Sequence, residues 1–387
     1  NLLEDVPIPG EKQELLDALE YARDVYNQGE KEGWDDRKKA EFYALRARNY
    51  WRIQAVDTAL QLIEKAIALT PKETEFWYIK AGLLKDKGDW EKALSLYLEC
   101  KGDYDETSHF YANVGECYDA LGKKEEALLW LQKAAQMDED NAAVRARILR
   151  IFTAQPQRLE EETVRKKAVE YARQMTLSGG SAWYWIESGL FYMALHDYAQ
   201  AAANFEEAVA SDPRDPFAHS NLARAYRLLD RTQEALSEAK MAVKYRERNP
   251  APWHGEVLTD VLRQRHEYGP ALEACLENWK RFPKQRAGFL YPLIELYCIE
   301  GKWEQAMEKI GELYPEKSKE YVSAAVRTYC LSGFWKQAAR YVRFCYPGAG
   351  FGLAELHSRM AKLYWHQGKL RNAVACMKSA LRYQPAD

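Results

Sequence analysis

The chain has 387 residues, which is enough for two or three compact domains and too many for one ordinary domain. Hydrophobic residues make up 47% of it, as expected for a chain that buries a core, and 13% of the residues are aromatic. The net charge of −3 excludes a general attraction to nucleic acid or to an anionic membrane surface. No apolar run reaches the ~18 residues that a membrane-spanning helix needs.

Charge is distributed unevenly along the chain. Residues 1–140 contain 19 Lys and Arg against 30 Asp and Glu, whereas the remainder contains 36 against 28. An acidic N-terminal third and a basic remainder favour either electrostatic steering of a partner or head-to-tail association with a second copy of the chain. The expected states are therefore a monomer or an end-to-end homo-oligomer.

Residues 1–39 are predicted to form a loose lead-in followed by one capping helix. Leu15, Leu19 and Val25 share one side of a helix predicted over 11–29. The chain begins at Asn1 and not at Met, which indicates a trimmed or processed N-terminus.

From residue 40 onward the sequence repeats with a period of about 34 residues. An alanine recurs at one place of each repeat, and each repeat begins nineteen residues before it. These alanines are Ala59, Ala93, Ala127, Ala201, Ala235, Ala271, Ala306, Ala338 and Ala373. The corresponding starts are 40, 74, 108, 182, 216, 252, 287, 319 and 354, with room for one more at 142. A fixed period of this length indicates about ten stacked structural units.

The repeat that starts at 182 shows why each unit is a pair of helices. Trp185, Gly189 and Tyr192 share one face of a first helix, and the small glycine lets the partner helix come close. A turn follows at His196, and Pro213 ends the second helix because proline cannot continue it. The facing side of that second helix carries Ala201, Phe205 and Ala208.

Two repeats depart from this pattern. The repeat at 142 lacks the glycine and has Pro156 in its turn, followed by an acidic insert. We therefore predict an irregular segment and bend at 155–181, between one subarray at 40–154 and a second at 182–387. In the repeat at 287, Pro292 is expected to kink or shorten the first helix.

No catalytic or metal-binding constellation stands out in the sequence. The seven cysteines form no CxxC pair and lie in or beside apolar runs, which is typical of buried thiols in a reducing, cytoplasmic compartment. The seven histidines form no HExxH motif. The sequence GAGFG at 348–352 lacks the Lys and Ser/Thr of a phosphate-binding loop, so we interpret it as a connector. We therefore expect no cofactor, no metal and no enzymatic activity from this chain.

The spaced residues of these repeats resemble the tetratricopeptide repeat (TPR) family over residues 40–387. The resemblance implies an all-α fold, a right-handed superhelical solenoid of about ten antiparallel helix pairs. It also implies that the first helices line a concave groove.

The resemblance further places a stripe of candidate partner-binding residues along that groove. Arginines and aromatic rings are both favoured at binding hot spots, arginine because its fork matches a carboxylate. Trp183 and Trp253 have an alternative role in packing against the preceding repeat. The candidate stripe consists of Arg147, Arg150, Trp183, Ile186, Phe217, Asn221, Arg224, Arg227, Trp253 and Arg263.

One TPR subtype binds the acidic C-terminal tail of heat-shock chaperones through a clamp of Lys, Asn and Arg side chains. Asn113 and Arg147 match two of the clamp positions, and Asn221 matches one in a later set of repeats. Neither set is complete, because Tyr78 and Gly82 occupy the places of the first Lys and Asn. Chaperone-tail binding is therefore not expected.

The leading hypothesis is a non-catalytic scaffold or adaptor that holds a peptide segment or partner helix with acidic side chains around repeats 182–252. A second hypothesis makes the chain the scaffold region of a larger secretion or polysaccharide-export machine, or the regulatory arm of an enzyme. A third, RNA binding, is disfavoured by the net charge and by the type of repeat.

Overall fold

The computed structural model describes residues 33–104, 107–177, 181–316 and 318–334, together with a few short stretches up to residue 378. The predicted capping helix at 11–29, the glycine-rich segment at 348–352 and most of the last repeat lie outside the described residues. Within the described ranges the chain is helical and contains no strand, which confirms the all-α class.

The first part of the chain forms three helix pairs in which a short turn joins a first helix to a second. Each second helix also packs against the first helix of the next pair, as expected for a stacked repeat. The pairs are α1 (Asp36–Arg52) with α2 (Val56–Leu69), α3 (Thr74–Lys87) with α4 (Trp90–Glu99), and α6 (Ser108–Ala120) with α7 (Lys124–Met137); the single-turn α5 (Lys101–Tyr104) lies between the last two.

First and second helices continue to alternate through the rest of the described chain. The fourth pair is α8 (Ala142–Ala154) with α9 (Glu162–Leu177), and the fifth is α10 (Ala182–Ala194) with α11 (Tyr198–Ser211). They are followed by α12 (Pro216–Leu228) with α13 (Thr232–Tyr245), α14 (Trp253–Gln264) with α15 (Tyr268–Arg281), α16 (Arg286–Ile299) with α17 (Trp303–Leu313), and α18 (Lys319–Leu331). Most first helices begin within one residue of the predicted repeat start.

A left-handed residue sits at the turn inside eight of the pairs, five positions before the recurring alanine. Glycine, which adopts positive φ without steric cost, occupies half of these places. The glycines are Gly88, Gly122, Gly301 and Gly333, and the other four residues are Gln54, His196, Asp230 and His266. At His196 and His266 a ring nitrogen hydrogen-bonds the hydroxyl of the tyrosine two residues later, at 2.9 and 2.8 Å.

The recurring alanines form the contact line between the two helices of a pair. All of those that the structure describes, from Ala59 to Ala338, have no solvent exposure. Gly115 shows why the first helix also needs a small residue, because a Cβ there would lie 2.7 Å from the Leu131 side chain of the second helix. Close approach of the helices therefore depends on small residues on both sides.

The fourth pair has the irregular turn that Pro156 indicates. A 3-10 turn at Pro156–Glu160 precedes α9, and the buried alanine of this pair is Ala168, further into its helix than in the other pairs. The chain divides into two compact units, residues 1–204 and 205–387, with the boundary inside α11. The predicted bend at 155–181, N-terminal to this boundary, stays a prediction.

Pro292 lies inside α16, which nevertheless runs over 14 residues from Arg286 to Ile299. The helix is therefore not shortened, and the alternative, a kink at Pro292, stays a prediction. The buried neighbours Leu290, Leu293 and Ile294 anchor the helix on both sides of the proline, which offsets the one backbone hydrogen bond that proline cannot donate.

Candidate partner-binding surfaces

A partly buried ionic network joins the first helices of the second, third and fourth pairs. The carboxylate of Glu116 pairs with Lys85 at 2.8 Å on one side and with Arg147 at 2.7 Å on the other. The Lys85 ammonium also donates to Asn113 at 2.7 Å, whose amide donates to the Tyr78 hydroxyl at 3.0 Å. Arg147 is thus already bound within the chain, and the two clamp-like residues Asn113 and Arg147 serve this network.

The other predicted residues of the first unit lie on α8 and α10. Arg150, half exposed, pairs with Asp119 at 3.3 Å. Trp183 is half-buried, with its ring centroid 5.3 Å from that of Tyr184, whereas Ile186 is buried. In the free chain Ile186 therefore packs and offers almost no surface to a partner.

Glu187, beside Ile186 on α10, is a buried carboxyl. Burial raises its pKa, and the nearby charge of Arg150 and a hydrogen bond from Trp183 offset this effect only in part. The Glu187 carboxyl therefore holds a proton more readily than an exposed glutamate does.

The second unit repeats the cation–carboxylate–cation arrangement on α14, α16 and α18. Glu295 accepts from Arg263 at 2.7 Å and also from Arg327. Arg263 additionally lies 3.6 Å from Asp260, and the Arg327 guanidinium lies over the ring of Tyr291. Arg263, like Arg147, has its charge balanced inside the chain.

The aromatic members of the stripe in this unit contact one another. Phe217 and Trp253, at the starts of α12 and α14, meet edge to face with ring centroids 4.9 Å apart. Asn221 is 2% exposed, and its amide donates to the Phe217 carbonyl at 3.0 Å. Both rings remain half-buried, whereas Asn221 has a packing role.

Arg224 and Arg227, further along α12, differ from the other predicted arginines. Within the part of the chain that the structure describes, no ion pair or hydrogen bond engages either guanidinium. Arg224 is exposed, and the Nε of Arg227 is buried without a hydrogen-bond partner. This turn of α12 therefore carries positive charge that nothing in the described chain neutralises.

Two buried histidines link α12 and α14 to the loops that precede them. His219 bonds the Glu238 carboxylate at 2.6 Å and the Pro213 carbonyl at 3.1 Å, so both ring nitrogens face acceptors. His254 bonds the Ser220 hydroxyl at 2.7 Å and the Asn249 carbonyl at 3.0 Å. The first arrangement favours the charged ring and the second the neutral ring.

Sequence reasoning missed Lys85, Glu116, Glu295 and Arg327, because each forms its bonds to residues about one repeat away. The sequence signal that could have identified them is their position within the repeat. Lys85, Glu116 and Arg147 occupy the twelfth, ninth and sixth places of three successive repeats, so that adjacent first helices bring them together.

The described residues hold no group of three or more His, Cys, Asp or Glu side chains placed to bind a metal ion. Their helices also include none that combines the length and the apolar character needed to cross a bilayer.

The helix pairs and their first-helix side chains define a helical-repeat protein of the type that binds other proteins. Models of the tetratricopeptide repeat match residues 45–106, 108–141, 188–252 and 354–387, about half of the chain. The chain belongs to the tetratricopeptide repeat family. Proteins of this family act as interaction scaffolds for protein or peptide partners, and the repeat itself is generally non-catalytic.

Two human proteins are similar to about half of the chain. Superkiller complex protein 3 is 24% identical over 196 residues, which span 48% of this chain and 12% of that protein. Protein O-mannosyl-transferase TMTC1 is 25% identical over 197 residues, which span 51% of this chain and 22% of that protein. The alignments thus cover only a small share of these longer relatives.

Solved structures of other repeat proteins are also similar. A tetratricopeptide repeat protein from Parabacteroides merdae has a TM-score of 0.49 and 12% identity, covering 62% of this chain and 92% of that chain. The Cut9–Hcn1 hetero-tetramer structure of the APC/C has a TM-score of 0.40 and 14% identity, covering 90% of this chain and 74% of that chain.

Proposed function

We propose that the chain is a non-catalytic scaffold that binds a peptide segment or partner helix carrying acidic side chains on the first helices of its second unit. The observation that supports this most directly is that neither Arg224 nor Arg227 on α12 has an ion pair within the described residues. The predicted arginines on other first helices, Arg147, Arg150 and Arg263, already pair with internal carboxylates. An incoming Asp or Glu would find its ion pair here without displacing one of the chain's own.

The proposal also includes the compartment and the oligomeric state of this scaffold. Free cysteine thiols throughout the described residues suit a reducing cytoplasm, and we expect a monomer or an end-to-end homo-oligomer. Superkiller complex protein 3 is named for a complex, which fits a scaffold role. The alternative, a repeat region serving a larger machine or enzyme, is favoured by the greater length of both relatives.

The test is selection of binding sequences from a random-peptide phage library on the immobilised chain. The Arg224→Glu, Arg227→Glu double variant removes the free positive charge. The matched control is Lys240→Glu with Lys244→Glu, which makes the same charge change on α13 of the same pair. Circular dichroism establishes that all three proteins are equally helical. If substitution of the half-buried Arg227 lowers the helix content, the single variant Arg224→Glu replaces the double variant in the test.

Wild type and control should enrich the same peptides, rich in Asp and Glu, and the double variant should lose them. The proposal fails if the arginine variants enrich those peptides as strongly as wild type does. It also fails if wild type enriches no acidic sequence.

A further inference from the structure

We infer that the ends of three successive first helices in the second unit form a subsite for one aliphatic side chain of the bound segment, beside the place where Arg227 receives its carboxylate. This inference rests on the proposed function. It narrows the ligand to a segment in which an aliphatic residue lies next to Asp or Glu.

The subsite is a cleft of about 590 Å³ at the C-terminal ends of α12, α14 and α16. That volume lies within the range of roughly 300–1,000 Å³ found for ligand pockets. Leu228, Gln264 and Ile299 are the last residues of these three helices, and all line the cleft. Equivalent places of the repeat therefore converge on one opening.

Two of these residues expose large apolar side chains. Leu228 is 40% exposed and Ile299 is 53% exposed, although each ends a helix whose other aliphatic residues are largely buried. Gln264 is held to α12, because its amide donates to the Asp230 carboxylate at 3.1 Å and to the Arg227 carbonyl at 3.3 Å. The opening thus has aliphatic walls and a fixed polar side.

Two arginines and two aspartates line the cleft, so its charged groups balance in number. Asp230 accepts a hydrogen bond from the neutral amide of Gln264, and Asp260 lies 3.6 Å from Arg263. Arg263 is further neutralised by Glu295. Arg227 alone among these charged lining groups has no partner within the described residues, and its Nε is a buried donor without an acceptor. A carboxylate beside an aliphatic side chain complements both features.

The size of the cleft favours a linear segment over a second copy of the chain. A stable protein–protein interface buries about 800 Å² per partner. Two exposed side chains and one guanidinium offer far less, but they suffice to select two adjacent residues of a peptide.

The experiment measures the affinity of a library-selected peptide by fluorescence anisotropy. The variant is Leu228→Ser with Ile299→Ser, both at exposed positions, where the fold should persist. The matched control is Leu331→Ser, which is 47% exposed and ends α18 but does not line the cleft. A second peptide has its aliphatic residue replaced by Ser.

The double variant should bind the selected peptide about tenfold more weakly, because it loses an apolar contact, and Leu331→Ser should bind as wild type does. The Ser-substituted peptide should bind weakly to wild type and no more weakly to the double variant. If the effects of the protein variant and of the peptide substitution on the binding free energy are not additive, the aliphatic residue of the peptide binds in the cleft.

Three results would overturn the inference. If acidic peptides depend on Arg224 and Arg227 but bind the Leu228→Ser, Ile299→Ser variant normally, the subsite is wrong and the proposed function stands. If no acidic peptide is selected, both the subsite and the proposed function are wrong. If sedimentation shows a wild-type dimer that the double variant abolishes, a second copy occupies the cleft.

Discussion

A single residue in each turn decides how the second helix returns onto the first. Gln54, His196, Asp230 and His266 hold φ near +60°, a conformation that costs a residue with a Cβ roughly 1 kcal/mol relative to glycine. The histidines offset part of that cost through their bonds to Tyr198 and Tyr268. Within the described residues, the Gln54 side chain makes no such hydrogen bond.

Gln54→Gly should therefore raise the free energy of unfolding by about 0.5–1 kcal/mol, because glycine adopts the left-handed turn without strain. Gly88→Ala, the reverse change at the equivalent turn, should lower it by a similar amount or more. Urea denaturation followed by circular dichroism measures both. Equal stability of Gln54→Gly and wild type would show that the turn at Gln54 is unstrained.

The sequence predicts these turns but not their backbone conformation in every repeat. A positive φ is predicted directly where the turn residue is glycine, because glycine is favoured in that conformation. These turn residues are Gly88, Gly122, Gly301 and Gly333. His196 and His266 are signals only once the repeats are aligned, because they stand where the glycines stand. The burial of Asn221 could not be predicted, since it depends on the helix rotation that directs its amide back to the Phe217 carbonyl.

At the scale of the helix, polar contacts between successive first helices add to the apolar contacts within a pair. Glu116 and Glu295 each lie between two cations from neighbouring helices. Their positions follow from the period, but their pairing depends on side-chain reach. The sequence therefore identified the arginines and not the carboxylates that neutralise Arg147 and Arg263.

His219 and His254 make the stability of α12 and α14 depend on pH in opposite directions. Burial acts to lower the pKa of His219, but its bonds to Glu238 and to the Pro213 carbonyl outweigh this and raise it. The stabilisation from His219 is thus complete below the unfolded pKa of about 6.5 and is lost as pH rises through the folded value. His219→Gln should cost more stability at pH 5.5 than at pH 8.5.

His254 is the matched control for that experiment. Burial lowers its pKa, and the Asn249 carbonyl only partly offsets this. Its contribution is present above about pH 6.5 and is lost as pH falls toward the folded value, so His254→Gln should cost less at pH 5.5 than at pH 8.5. Chemical denaturation at both pH values measures the two slopes. Parallel slopes for the two variants would contradict the assigned charge states.

At the scale of the whole molecule, the chain divides into two compact units, and within each unit a helix pair packs mainly against its neighbours in sequence. Damage in one place should therefore remain local. Phe289→Ala, at a side chain 2% exposed in the second unit, should cost about 3–5 kcal/mol and speed hydrogen exchange around α16 and its neighbours.

Amides of the first unit should be unaffected by that change. Phe110→Ala, at a fully buried ring of the first unit, should give the converse pattern. Hydrogen–deuterium exchange with mass spectrometry measures the amide exchange rates of both variants. Faster exchange across the whole chain from either variant would show global unfolding in place of local opening.

The left-handed residue that recurs in eight turns also affects how such a chain can be lengthened by duplication of its gene segments. A gene segment that encodes one helix pair ends and begins at equivalent points, so duplicating it in tandem repeats the same turn and the same contact alanine inside each new pair. The fourth pair, whose two helices are joined through the 3-10 turn at Pro156–Glu160, is the exception among the described pairs. Lengthening by duplication should succeed with the pair at 108–137 and fail with the pair at 142–177.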